Sequence, residues 1–483
     1  MTETFRNYIG GNWVDSVSGE TFADLNPADT SDNVGNFQAS TAEDARAAIA
    51  AAEDARSRWR AMSPPARGEI LARAARVIEA DLGRIAGELT REEGKTIGEA
   101  KGETARAVQI FDYFASEGRR LGGETAPSEF GRTLLYTIRE PLGTVGLITP
   151  WNFPVAIPAW KMAPALVSGN TVVIKPASAA PKTTLNIIAA LAEAGMPAGV
   201  LNYITGSGSA VGNEITGNPV VKGVSFTGSD TVGCGIYSQV TGRGGKVQCE
   251  MGGKNPVIVL EDADLDKAVN LSIMGAMWST GQKCTATSRA IVHKDVVEEF
   301  TARAVKSAAA ITVGNGLQEG VQVGPSIDET QLNTVLDYIE TGKDEGARLL
   351  TGGNRLTGPG FDQGWFVEPT VFGDVDPGMR IAQEEIFGPV LAIIAVDDFE
   401  EAMKVANASR FGLSAAICTR DITRAMEFVE GIEAGLVHVN SPTVGAEVQV
   451  PFGGMKDSST GTREQGSVAV DFYTQIKTVY LEY

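Results

Sequence analysis

The chain has 483 residues, 43% hydrophobic and 21% charged, a balance that suits a soluble globular protein of two or three domains with sizeable cores. Its 60 acidic side chains outnumber 41 basic ones and leave a formal net charge of −19. Such a balance opposes nonspecific binding to nucleic acid or anionic membrane, and it fits either a bland acidic surface or an adaptation to salt.

Residues 7–35 read as short strands and turns, punctuated by Gly10-Gly11-Asn12 and Gly19. Thr41 with Asp44 three positions on predicts a capped helix start. Ala-, Arg- and Glu-rich helical patterns then run to about residue 120, where Gly122-Gly123 breaks them. Strand character returns over 132–138. From 141 onward, β-prone apolar runs at 144–149, 171–175, 200–204 and 223–226 alternate with helical stretches. A second set lies at 256–260, 390–396, 414–418 and 435–439. This alternation predicts an α/β chain with parallel, doubly wound sheets. The tail over 476–481 is apolar and β-prone, an edge strand in need of a partner.

Four cysteines (Cys234, Cys249, Cys284, Cys418) are scattered without a CxxC pair. That argues for a reducing compartment and against a disulfide framework or structural zinc. The two histidines, His293 and His438, lie in no recognisable context for a zinc alcohol dehydrogenase or a Ser-His-Asp hydrolase. No basic start followed by an apolar stretch opens the chain, and no apolar run nears membrane-spanning length, so a cytoplasmic, metal-free protein is expected. Most free cysteines are buried and structural. Cys234 and Cys418 are read that way, and adjacency to Glu250 leaves Cys249 open.

Cys284 stands in Gly281-Gln282-Lys283-Cys284-Thr285-Ala286, and Glu250 in Cys249-Glu250-Met251-Gly252-Gly253-Lys254-Asn255-Pro256. A thiol nucleophile and a carboxylate base in such small-residue settings can take an aldehyde to a thioester and release an acid. The two motifs resemble those of the aldehyde dehydrogenase superfamily, and the resemblance runs through nearly all of the chain. It implies two doubly wound parallel-sheet domains plus a small β oligomerisation arm. Residues 1–121 and 141–253 would form the cofactor-binding domain, 254–464 the catalytic domain, and 122–140 with 465–483 the arm of a homodimer or tetramer.

The resemblance also implies roles. Cys284 would be the nucleophile, its thiolate favoured by a helix N-terminus, backbone amides or a positive nicotinamide ring. Glu250 would activate water. Pro150-Trp151-Asn152-Phe153-Pro154 matches the oxyanion signature, with the Asn152 amide and the Cys284 backbone N–H as donors and with Lys161 and Glu464 in support. Phe153 and Trp160, with Ile157 at helical spacing, and Phe452 in Pro451-Phe452-Gly453-Gly454 would line a substrate tunnel; core packing is the plain alternative.

For the cofactor, Gly208 lies in a Gly206–Gly212 loop spaced GxGxxxG, which is not the dinucleotide fingerprint and is weak by itself. Phe226-Thr227-Gly228-Ser229 resembles the family's pyrophosphate turn at a helix N-terminus. Glu385 and Phe387 in Glu384-Glu385-Ile386-Phe387-Gly388-Pro389 would meet the nicotinamide ribose and ring, near Trp151. Ser178, after Lys175, stands where NAD-restricted members carry an acid, so NADP is expected, with NAD also accepted. Lys283 before the nucleophile would attract a carboxylate or phosphate on a short aldehyde, and Arg289 would either assist or bond structurally. The strings 247–253, 281–289 and 440–466 resemble 2-oxoglutarate semialdehyde (2,5-dioxovalerate) dehydrogenases, with succinate semialdehyde and glyceraldehyde as alternatives. A cysteine hydrolase without a redox step is the rival of another class.

Overall fold

Two seven-stranded sheets carry the molecule, and a computed structural model describes them over residues 2–483. In the first sheet the strands lie in the order Lys246–Glu250, Val221–Thr227, Thr144–Ile148, Thr171–Lys175, Leu201–Tyr203, Asn7–Ile9 and Asn12–Val14. The first five run parallel, and the two N-terminal strands close one edge as an antiparallel hairpin. The second sheet runs Arg348–Thr351, Thr370–Gly373, Val390–Val396, Thr287–His293, Asn255–Val259, Ser414–Cys418 and Leu436–Val439, parallel except at its first strand. Their central strands are buried on both faces, which is why they read as continuous apolar runs rather than alternating ones.

Local chemistry sets the helices of the first half. The Thr41 side chain accepts from Glu43 N–H, and Asp44 reaches back to the Thr41 N–H at 2.8 Å, opening helix Ala42–Ala61. Ser63 and Pro64 restart the chain as helix Pro64–Ala80, with proline at a position whose N–H has no helical acceptor. Helices Leu82–Glu93 and Ile97–Glu117 come next, the second opened by a Thr96–Glu99 capping box. The first packs on the first sheet and the other three on helices Ala156–Val167 and Pro181–Glu193, in one core with Trp59, which is fully buried with its indole N–H bonded to Leu166 O at 3.1 Å.

The C-terminal strand Thr474–Glu482 pairs antiparallel with Thr133–Pro141, and Thr125–Ala126 completes a small separate sheet. Ala469, Val470, Phe472 and Tyr473 are buried in the core beside the first sheet, and the chain leaves that core with the strand from Thr474. Among the described residues no helix is long and apolar enough to cross a membrane. Cys418 is buried as expected, whereas Cys234 is exposed on helix Asp230–Gly242, most of whose side chains remain uncovered.

Replacing Trp59 with Ala removes a large, fully enclosed ring and its hydrogen bond. Urea unfolding followed by far-UV circular dichroism should show a loss of about 3–5 kcal/mol in the first half of the chain; an unchanged midpoint would refute this packing role.

Candidate active site

In chain order the first sheet is laid down from Thr144–Ile148 outward through Thr171–Lys175 and Leu201–Tyr203. It then reverses to Val221–Thr227 and Lys246–Glu250 on the other side. The reversal leaves a crevice at the carboxyl ends of the strands, the place where open α/β sheets bind ligands. Each strand end delivers a candidate: Asn152 comes after Ile148, Lys175 and Glu250 end their own strands, and Gly228 and Ser229 come after Thr227. The second sheet meets this crevice with its amino ends, where Cys284 precedes Thr287–His293 and Glu385 with Phe387 precedes Val390–Val396. Direct bonds tie the two ends together. Asn152 Nδ2 donates to Gln282 O at 3.0 Å, and Gly253 N–H donates to Glu385 Oε1 at 3.0 Å. Asn255 Nδ2 donates to the carbonyls of Cys284 and Ala286, both at 2.8 Å.

The loop before the nucleophile is held in an uncommon conformation. Ser279, Thr280 and Gly281 have φ of 53°, 56° and 65°, and the β-branched Thr280 is an outlier there. Glu99 fixes the start of the turn by accepting from Ser279 N–H at 2.7 Å, and Thr280 Oγ1 donates to Gly324 O. At Gly281 a Cβ would lie 2.1 Å from Gly388 O, so glycine is required both for its φ and for that contact.

Burial shifts both Cys284 and Glu250 toward their neutral forms. Burial, and then the charges of Glu385 and Glu250, push the Cys284 thiol up to about 12; the backbone amides of Thr285 and Cys284 pull the other way without overcoming this. Glu250 is buried, and burial followed by the charge of Glu464 holds its carboxyl well above the ordinary range. Ser459 Oγ donates to its Oε2 at 2.6 Å, and its Oε1 has no hydrogen-bond partner, leaving one acceptor free in a dry setting. Cys249 points to the opposite face of the strand, where it is buried with its thiol toward Gly233 O.

Behind Glu250 lies a buried polar network. Lys161 pairs with Glu464 Oε1 and donates to Ser225 Oγ at 2.7 Å, while Trp160 Nε1 donates to Glu464 Oε2 at 2.7 Å. Phe452 and Glu464 exchange backbone hydrogen bonds, and the Phe452 ring packs on Trp160 at 5.6 Å between centroids. A cavity of about 310 Å³ opens beside Cys284, lined by Phe153, Ile157, Trp160, Phe452 and Arg106. Lys283 is not on that wall. It is buried near Glu99 and Lys95, with its ammonium pushed down to about 8 mainly by burial, and it lines a separate small cleft with Glu385 and Phe387. Arg289 is structural: its buried guanidinium donates to the carbonyls of Lys254, Val405 and Ala406.

The crevice suits a dinucleotide on its own chemistry. Ser229 caps helix Asp230–Gly242 without a side-chain bond to its amides, and the buried Thr227 hydroxyl has no partner. Burial lifts the Glu385 carboxyl to about 7. The Trp151 and Phe387 rings meet edge-on at 5.3 Å. Ser178 Oγ and Lys175 Nζ both donate to Gly206 O, at 3.3 and 3.2 Å. Gly208 lies exposed in the short turn just beyond, where a Cβ would meet nothing.

Four contributors escaped the motif reading: Lys95, Glu99, Glu103 and Arg106. Buried Lys95 donates to Asn152 O at 2.7 Å and to Glu103 at 2.5 Å, with its ammonium 4.2 Å from the centre of the Phe153 ring. Glu103 in turn accepts from Val155 and Ala156 N–H, fixing the turn after Asn152. Glu99, Glu103 and Arg106 recur at the spacing of one helix face, a polar stripe in a helix otherwise buried on that side.

Comparison with known proteins agrees with this geometry. Residues 13–479 match the aldehyde dehydrogenase family. The chain is 51% identical over 479 residues to the alpha-ketoglutaric semialdehyde dehydrogenase of Bacillus subtilis, covering 99% of this chain and 98% of that one. It is 50% identical over 484 residues to the alpha-ketoglutarate semialdehyde dehydrogenase of Haloferax volcanii, covering 100% of both. The fold superposes on the betaine aldehyde dehydrogenase of Staphylococcus aureus in complex with NAD+, with a TM-score of 0.96, 34% identity, and coverage of 99% and 94%. With a match across nearly its whole length and half-identical relatives of the same extent, the chain belongs to the aldehyde dehydrogenase family.

Proposed function

We propose that this chain oxidises a short carboxylated semialdehyde, 2-oxoglutarate semialdehyde, to 2-oxoglutarate with NADP or NAD. The observation that carries the reading is Cys284 opening onto a cavity that combines aromatic walls with a guanidinium, while Glu250 keeps a free, desolvated carboxylate oxygen nearby. The names of the two half-identical relatives support the substrate.

In this reading Glu250 takes the Cys284 proton as the sulfur adds to the aldehyde carbon. Asn152 Nδ2 has a second N–H beyond the one given to Gln282, and with the Cys284 backbone N–H it receives the oxyanion. NAD(P), when bound, supplies the hydride acceptor. Glu250 passes the Cys284 proton to solvent, then removes a proton from water attacking the resulting thioester and returns it to the departing sulfur, so that the acid leaves with the thiol restored. Lys161 and Glu464 position Trp160 and stabilise the charge balance around Glu250. Ser229, Gly228, Gly208, Lys175, Ser178, Trp151, Glu385 and Phe387 are assigned to the dinucleotide. Residues 1–121 and 141–253 hold it, 254–464 supply the nucleophile, and the arm strand, whose Ile476 and Tyr480 are exposed, joins subunits in a dimer or tetramer.

The experiment is reduced-cofactor formation with 2-oxoglutarate, succinate and glutarate semialdehydes and glyceraldehyde in parallel. Highest kcat/KM on the 2-oxo compound is expected; a better rate on another aldehyde would displace that substrate. Cofactor-independent ester hydrolysis without any aldehyde oxidation would favour a cysteine hydrolase instead.

Cys284→Ala should abolish turnover. Glu250→Gln should still give a burst of about one reduced cofactor per site if the first proton can leave by solvent, followed by slow thioester release. Because the Glu250 carboxyl sits well above its ordinary range, the fraction able to act as base grows as pH rises, and thioester release should accelerate over that limb. A pH-independent release step in the unmutated enzyme would contradict the assignment.

A neutral Ser178 offers no repulsion to a 2′-phosphate, so kcat/KM with NADP should equal or exceed that with NAD. Ser178→Glu should move the ratio toward NAD by about tenfold or more. A preference for NAD above about tenfold in the unmutated enzyme would refute the cofactor assignment.

A further inference from the structure

Two donor-bearing residues line the Cys284 cavity without a task in the aldehyde chemistry. Arg106, on helix Ile97–Glu117, lines it and donates through Nη2 to Gln465 Oε1 at 3.0 Å. Gln465 is fully buried, also lines the cavity, and is held at φ 58°, in the left-handed region. Its Nε2 has no hydrogen-bond partner. A buried amide donor left without an acceptor is costly, so the site is complete only when an acceptor arrives.

The acids on the same wall are already engaged. Glu103 accepts from Lys95, Val155 N–H and Ala156 N–H, and Glu99 accepts from Thr96 and Ser279. Glu447 is the carboxylate whose charge Arg106 feels, and the two form no ion pair within 4 Å among the described residues. The guanidinium therefore keeps N–H groups beyond the one given to Gln465, and the two residues line the same cavity. Two such donors suit a carboxylate, whose two oxygens accept side by side.

We propose that Arg106, oriented by Gln465, is the specificity-determining anchor for the carboxylate at the far end of the aldehyde substrate, with Gln465 Nε2 as the second donor. This rests on the semialdehyde reading. Lys283, which the sequence alone nominated for the task, lines a neighbouring cleft with Glu385 and Phe387.

The test compares kcat/KM for 2-oxoglutarate semialdehyde and for butanal in the unmutated enzyme, Arg106→Met, Arg106→Lys and Lys283→Met. Inhibition of butanal oxidation by glutarate is measured beside them. The expected result is a fall of about 10- to 100-fold in the semialdehyde-to-butanal ratio for Arg106→Met, mostly through KM. Arg106→Lys should recover part of that loss, glutarate should inhibit Arg106→Met less, and Lys283→Met should disturb the ratio less than Arg106→Met. Cofactor binding, followed by fluorescence quenching, shows that each variant is folded. An Arg106→Met enzyme that keeps the ratio, or that loses both aldehydes equally while still binding cofactor, overturns the anchor and leaves the semialdehyde reading standing. An unmutated enzyme that favours butanal and ignores glutarate overturns both, and that failure is visible without any variant.

Discussion

Everything at the site depends on a short piece of chain, Met251–Lys254, that passes from the carboxyl end of one sheet to the amino end of the other. It leaves the first sheet at Glu250 and enters the second at Asn255. The passage is so close to Glu385 that a Cβ at Gly252 would lie 2.1 Å from its carboxylate oxygen, and the next residue, Gly253, donates its N–H to that same carboxylate. A side chain at position 252 would displace the Glu385 carboxylate. Glu250 at the end of the first sheet and Cys284 before the second are both enclosed there, near enough for the Glu250 charge to act on the Cys284 thiol.

That enclosure sets the chemistry. The same burial raises both Glu250 and Cys284, so each ionises less readily than it would in water. A lone acid there would be a liability, because a buried charge is costly unless paired and hydrogen-bonded. Glu464 is satisfied by Lys161, Ser225 and Trp160, which leaves Glu250 as the acid with an unclaimed oxygen. Structural and reactive carboxylates thus differ by how many donors reach them.

A helix from the first half completes the arrangement from outside. One face of Ile97–Glu117 presents Glu99 to the strained turn before Cys284, Glu103 to Lys95 and the turn after Asn152, and Arg106 to the substrate cavity. Three successive contacts along one helix fix the loop before Cys284, the turn after Asn152 and the cavity wall relative to each other. Placing these supports on a helix rather than a loop reduces the freedom of all three at once.

The α/β alternation, most strand positions, the Thr41 cap, and the motifs around Asn152, Glu250 and Cys284 were all legible in the sequence. Those features are written in local spacing: apolar runs buried on both faces, side-chain oxygens three residues from a helix start, and small residues where backbone must approach closely. Which charges face which space was settled only by tertiary packing. Lys283 sits next to Cys284 in sequence, yet it lines a neighbouring cleft with Glu385 and Phe387, while Arg106 reaches the Cys284 cavity from far along the chain. Ala469, Val470, Phe472 and Tyr473 likewise join the first core. Pairings between distant segments depend on how sheets and helices pack, and no local pattern of residues encodes where a long side chain finds its partner.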